Sequence, residues 1–137
     1  MKPHTLPYET IERAVLDYGA AWNEDDEGEI RKLLLRCFAA DGLVISSREV
    51  ISSRDALHAR IIRWRREAPG HRAIFTSGIE HHHNLFRFNG VFLAPDGGDV
   101  IPLIDIGEVD ADGRITRIFT FQHAPEPPAH WPVSLVK

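Results

Sequence analysis

Apolar positions recur at helical spacing through the first half of the chain and at strand spacing through the second. In "ETIERAVLDYGAAWN", residues 9–23, Ile11, Val15, Tyr18 and Trp22 follow at steps of four, three and four. That is one helical face, and it turns both rings inward. A second helix is expected from Asp26, whose side chain can cap it while Glu29 supplies the reciprocal half of a capping box. Ile30, Leu33, Leu34, Cys37 and Phe38 form its stripe, and "ADG" stops it. "LVIS", 43–46, reads as a short strand. Ser52 or Ser53 caps a third helix over 54–67, with Leu57, Ile61 and Trp64 inward and "PG" at 69–70 ending it.

Four strand-like runs follow: "HRAIFTSGIE", "LFRFNGVFLA", "DVIPLIDIGEVD" and "RITRIFTFQ", rich in β-branched and aromatic residues. "HHHN", "PDGG" and "DADG" separate them with turn chemistry. The order α-α-β-α-β-β-β-β predicts an α+β fold, helices packed on one side of an antiparallel sheet. A meander apolar on both faces needs two covers. Helices supply one, and a second copy bound to the outer sheet face is the expected other.

With 137 residues, 43% of them apolar, the chain makes one domain over 1–137 with a proper core. Its last residues, 124–137, form an irregular proline-rich tail. Net charge is −4, and the densest basic stretch, "ARIIRWRRE", has helical spacing, which reads as a solvated helix face. No nucleic-acid partner is expected. No apolar run approaches the roughly 18 to 20 residues of a membrane span, and the N-terminus lacks the apolar centre of a signal peptide. Cys37 is the single cysteine and lies on an apolar stripe, as a buried structural thiol does. A cytoplasmic protein is expected.

One residue breaks the strand pattern. Asp105 stands in "LIDIGEVDADGRI" between Ile104 and Ile106. "DYGAAWNEDDEGEIRKLL" with "FAADGLVISS", and "PDGGDVIPLIDIGEVDADGRITRIFTF", resemble the helical start and last hairpin of the NTF2-like superfamily. Within it the chain is most similar to the SnoaL-like and ketosteroid-isomerase-like proteins, over about residues 8–123. The resemblance implies a cone: three N-terminal helices on a strongly curved, mainly antiparallel sheet around an internal cavity. Ketosteroid isomerases place a tyrosine in the first helix and a carboxylic acid in the penultimate strand, which Tyr18 and Asp105 match. Burial among isoleucines should raise the Asp105 pKa and make it a neutral donor. Beside a phenol it would then form an oxyanion site. The general base of that family falls on Ser46, which has no normal route to proton transfer. The water-activating carboxylates of the epoxide-hydrolysing branch are also missing around Arg87 and Asn89.

Alternation along the strands and the resemblance together predict a pocket of Tyr18, Trp22, Phe38, Ser46, Trp64, Phe86, Phe88, Leu103, Asp105 and Gln122. Ile118 and Thr120 should also point inward, and Arg87 and Asn89 outward. No metal is expected at His81–His83, because adjacent histidines in a strand alternate faces and lack a ligand at diagnostic spacing. His83 and His123 remain as weaker base candidates, and His58 reads as surface or rim. No cofactor is expected. The implied function is binding of a small hydrophobic molecule. If the protein is an enzyme, isomerase, cyclase or lyase chemistry would rest on Asp105 and Tyr18. A non-catalytic carrier or sensor and a protein-association module are the alternatives.

Overall fold

The computed structural model describes residues 5–98, 100–122 and 124–137. Helix α1 (Tyr8–Asn23) buries Ile11, Ala14, Val15, Tyr18 and Ala21. Helix α2 (Glu27–Cys37) is capped by Asp26, which accepts from the Glu29 amide at 2.9 Å. The reciprocal half of the capping box is not made. Glu24 reaches the Asp26 amide first (3.0 Å), and the Glu29 carboxylate turns to Lys32. Helix α3 (Arg54–Glu67) is capped by Ser53, whose hydroxyl accepts from Ala56 N at 3.1 Å.

The second helix stops earlier than its apolar stripe. Phe38 is fully extended and opens strand β1 (Phe38–Ile45), so "ADG" lies inside a strand. An apolar residue next to a helix end satisfies either period, and here the sheet claims it. Gly42 makes room for this start: a Cβ there would lie 2.5 Å from the Phe38 ring. The pairing register shifts between Phe38 and Leu43 as β1 bulges around that contact.

Strand β2 (Val50–Ser52) is an addition to the expected order. The run after α3 divides into β3 (Arg72–Phe75) and β4 (Glu80–His82). Both pair with β5 (Leu85–Leu93), which is followed by β6 (Val100–Val109) and β7 (Ile115–Phe121). The sheet order is β2-β1-β7-β6-β5-β3, with β4 beside β5 off that path. β1 runs parallel to β7, so the sheet is mixed, and the remaining pairings are antiparallel. That one parallel pair follows from the chain's route: β7 returns beside β1 only after α3 and the intervening strands.

Turn chemistry sets the hairpins. His83 and Asn84 both have positive φ (52° and 61°), which makes the β4–β5 link a two-residue turn matched to strand twist. Between β6 and β7, Asp110 Oδ1 accepts from the amides of Asp112 and Arg114, and Gly113 takes φ 79°.

The helices and the concave face of the sheet share one core, with Ile11, Val15, Ile30, Leu34, Phe38, Leu57, Ile61, Ile115 and Ile118 almost fully shielded. Cys37 belongs to it, and burial pushes its thiol pKa up to about 12, so it is an inert packing residue. Asn23 clamps the end of α1 to β3 by donating to Ala73 O (2.8 Å) and accepting from Ala73 N (2.6 Å). Among the described residues no helix is long and apolar enough to cross a membrane.

Candidate functional site

Three strands present alternate residues to the inside of the cone, and their registers align in rungs. Phe88 of β5, Asp105 of β6 and Thr120 of β7 form one rung. Gly90 faces Leu103, and Phe92 faces Ile101. Above them α1 lowers Tyr18 and Trp22, and α3 lowers Arg60 and Trp64. The space between is a cavity of about 180 Å³, with the β1–β2 turn, Ser46 to Glu49, at its lip.

Asp105 is 6% exposed, and its carboxylate has one protein hydrogen bond among the described residues. Thr120 Oγ1 donates to Oδ1 at 2.6 Å, which leaves Oδ2 to the chamber. Burial pushes the pKa up to about 6, and the Thr120 hydrogen bond opposes the shift. The direction is the one expected from burial in an apolar strand. A carboxyl whose pKa is pushed into this range exchanges its proton close to neutral pH, which an ordinary aspartate does not.

Tyr18 is buried and lines the same cavity from α1. Burial and the charge of Asp105 hold its pKa well above the ordinary 10, with the Trp22 side chain opposing, so it stays a phenol with a proton to donate. No hydrogen bond joins Tyr18 to Asp105 among the described residues. The Trp22 indole lies close enough to the phenol to favour its ionised form slightly, yet its N–H makes no hydrogen bond of ordinary geometry.

Of the pocket expected from sequence, the structure brings together Tyr18, Trp22, Ser46, Trp64, Phe88, Leu103, Asp105 and Gln122. Gln122 is at the open end and largely exposed. Phe38 and Phe86 lie one layer deeper instead of on the cavity surface. Phe38 stacks on Tyr18 (6.4 Å between centroids) and Phe86 on Phe88 (6.1 Å), so each backs a wall residue. Ser46 ties the turn together: its hydroxyl accepts from the amides of Arg48 and Glu49 and donates to Glu49 O. That is a structural use.

His83 occupies the exposed turn with its Nδ1 3.1 Å from His82 Nδ1, away from the cavity. His58 lies at a helix contact, 3.0 Å from Glu27 O. His123 lies outside the described residues. Arg87 and Asn89 are exposed, as the resemblance implied. Among the described residues no three His, Cys, Asp or Glu side chains converge as a metal site would require.

Sequence reading missed Glu49, Arg60 and Phe92. Arg60 pairs with Glu49 through Nε at 2.7 Å on the lip of the cavity. Arg60 stands four residues before Trp64 and Phe92 four after Phe88, so helical and strand spacing could have found both. Nothing in the sequence marks Glu49, a turn residue.

No family model matches the sequence, and no curated protein matches it. Solved structures do. A proposed isomerase of the SnoaL-like family from Agrobacterium tumefaciens is 26% identical, with 85% of this chain and 99% of that one covered, at TM-score 0.77. A proposed SnoaL-like polyketide cyclase from Jannaschia is 11% identical over 88% and 90%, at TM-score 0.67. A protein of ketosteroid-isomerase-like fold from Catenulispora acidiphila, solved with trimethylamine, is 15% identical over 85% and 86%, at TM-score 0.64.

Proposed function

We propose that the chain, whose fold is the NTF2-like one of SnoaL-like and ketosteroid-isomerase-like proteins, binds a small, mainly apolar oxo compound in its cone. Asp105 takes a proton from the carbon beside the carbonyl, and Tyr18 donates to the oxygen that gains charge. Such a step serves an isomerase, a cyclase or a lyase, and it needs no cofactor. The observation that carries this reading is the buried Asp105 carboxylate on an apolar cavity wall, with Thr120 its one hydrogen-bond partner among the described residues and its pKa pushed up to about 6. Ordinary aspartates are too weak as bases near pH 7, and burial corrects that mismatch.

A substrate-independent probe is exchange of the α-protons of cyclohexanone in D2O, followed by NMR. The expected rate rises with pH through about 6, levels off above it, and disappears in Asp105→Asn. A rate indifferent to Asp105 would refute the base assignment.

A carrier or sensor is the second reading, favoured by the missing hydrogen bond between Tyr18 and Asp105 and by the structural use of Ser46. It predicts ligand binding without exchange.

The proposed partner is a second copy, docked on the outer sheet face. There Ile104 pairs across strands with Phe121 and Ile106 with Phe119, and Ile106 and Phe121 are 38% and 58% exposed. Sedimentation at micromolar concentration should give twice the 15.5 kDa chain mass. Ile106→Asp should convert it to monomer, because a charge in an apolar interface stays unpaired. A monomeric wild type would count against this face as the contact.

A further inference from the structure

Trp22, Phe92 and Trp64 run in contact from α1 across β5 to α3, with ring centroids 6.0 and 5.2 Å apart. Trp64 continues onto His71 at 5.5 Å, so the row has no break toward the start of β3. All three rings of the row line the cavity.

Both indoles are kept under an unfavourable condition. Among the described residues Trp64 Nε1 is shielded from water without a hydrogen-bond partner, and Trp22 Nε1, equally shielded, has only the Tyr18 phenol nearby and no hydrogen bond of ordinary geometry. A buried donor without an acceptor destabilises the fold, and a phenylalanine would fill most of the same space without one. Because the two nitrogens are sealed, they are not cavity-surface donors waiting for a ligand. What the indoles contribute here is bulk.

The bulk has a consequence for the size of the chamber. A cavity of about 180 Å³ compares with about 150 Å³ for an apolar cavity that accepts benzene. Sites for drug-sized ligands run from about 300 Å³ upward. Phe88, Asp105 and Thr120 are paired in register on the central strands β5, β6 and β7, and Phe92 extends the same face of β5 beneath the two indoles.

We propose that Trp22, Phe92 and Trp64 act as a size gate that shortens the cone and restricts its ligand to a single-ring or short-chain oxo compound. This rests on the ligand-chamber reading above and names its substrate class. Phe92 is the keystone, since it touches both indoles.

The test compares cyclohexanone with the fused two-ring ketone 2-decalone, with dissociation constants measured by ligand-observed NMR so that catalysis is not required. Wild type should favour cyclohexanone by roughly ten-fold or more, about the worth of one well-fitted contact region. Trp64→Phe and Phe92→Ala should each narrow that ratio to within about three-fold, by improving decalone binding. Trp64→Phe guards against misfolding, because it keeps an aromatic ring in the row.

Equal affinity for the two ketones in wild type overturns the gate, as does a ratio that neither substitution moves. A wild type that shows no exchange, or exchange unchanged in Asp105→Asn, with the size ratio intact overturns the base assignment and leaves the gate standing. If neither ketone binds to wild type or to the variants, gate and chamber both fall.

Discussion

Asp105→Asn should make the protein more stable at pH 7.5 and remove its proton chemistry in the same step. The folded-state pKa of about 6 stands above the ordinary 3.8 because burial penalises the charge. Between those values the folded state binds more protons than the unfolded one. The contribution of this group to stability is therefore fully present below about pH 4 and lost as pH rises through about 6. Above that it stays at its lowest. A shift of about two units corresponds to roughly 2–3 kcal/mol, and an asparagine keeps the Thr120 hydrogen bond without the charge. Chemical denaturation at pH 7.5 should show about that gain, or roughly 5–10 °C in melting temperature. At pH 4 the two proteins should nearly coincide. A variant less stable than wild type at pH 7.5 would mean that the carboxylate has a stabilising partner. A carboxylate retained at a cost to the fold is what a functional site predicts and a packing residue does not.

Legibility in the sequence followed the strength of periodicity. Tyr18 and Trp22 could be placed because α1 holds one face for four turns with no competing pattern. Asp105 points inward on the family resemblance and its apolar flanks, and Leu103 then follows from alternation on β6, where one parity carries the buried set. Phe38 failed because a single apolar residue at a helix end fits a helix and a strand equally. The parallel β1–β7 pair was invisible because local pattern carries no information about which strands meet. The strength of Asp105 as a base also lay beyond reach. Its direction comes from apolar neighbours, but its size depends on the number of hydrogen bonds the carboxylate receives. That number is set by the β6–β7 register, which changes at the bulge between Glu108 and Val109. The unpartnered indoles belong to the same class, because absence of an acceptor is a property of packing in three dimensions.

Gly107→Ala is the substitution expected to damage the fold most for its size. A Cβ at this position would lie 2.4 Å from Phe86 Cζ and 2.6 Å from the carbonyl oxygen of Arg117. The ring is fully buried and the oxygen belongs to the backbone of β7, so neither neighbour can step aside. β6 and β7 must separate, or Phe86 must leave its stack on Phe88. Overpacking of this kind costs about 3 kcal/mol or more when backbone is involved. Gly78→Ala is the matched control: nothing lies within 4 Å of its Cβ, and a change within about 0.5 kcal/mol is expected. The site should register the same strain. Gly107 is two residues from Asp105 on the same face, and parting of β6 from β7 lengthens the 2.6 Å hydrogen bond from Thr120. That bond is what restrains the Asp105 pKa, so its loss moves half-maximal cyclohexanone exchange to a pH above 6. A destabilised variant whose pH midpoint does not move would show that Thr120 has no hold on the base. A midpoint that rises would join the packing of one glycine to the proton affinity of the carboxylate beside it.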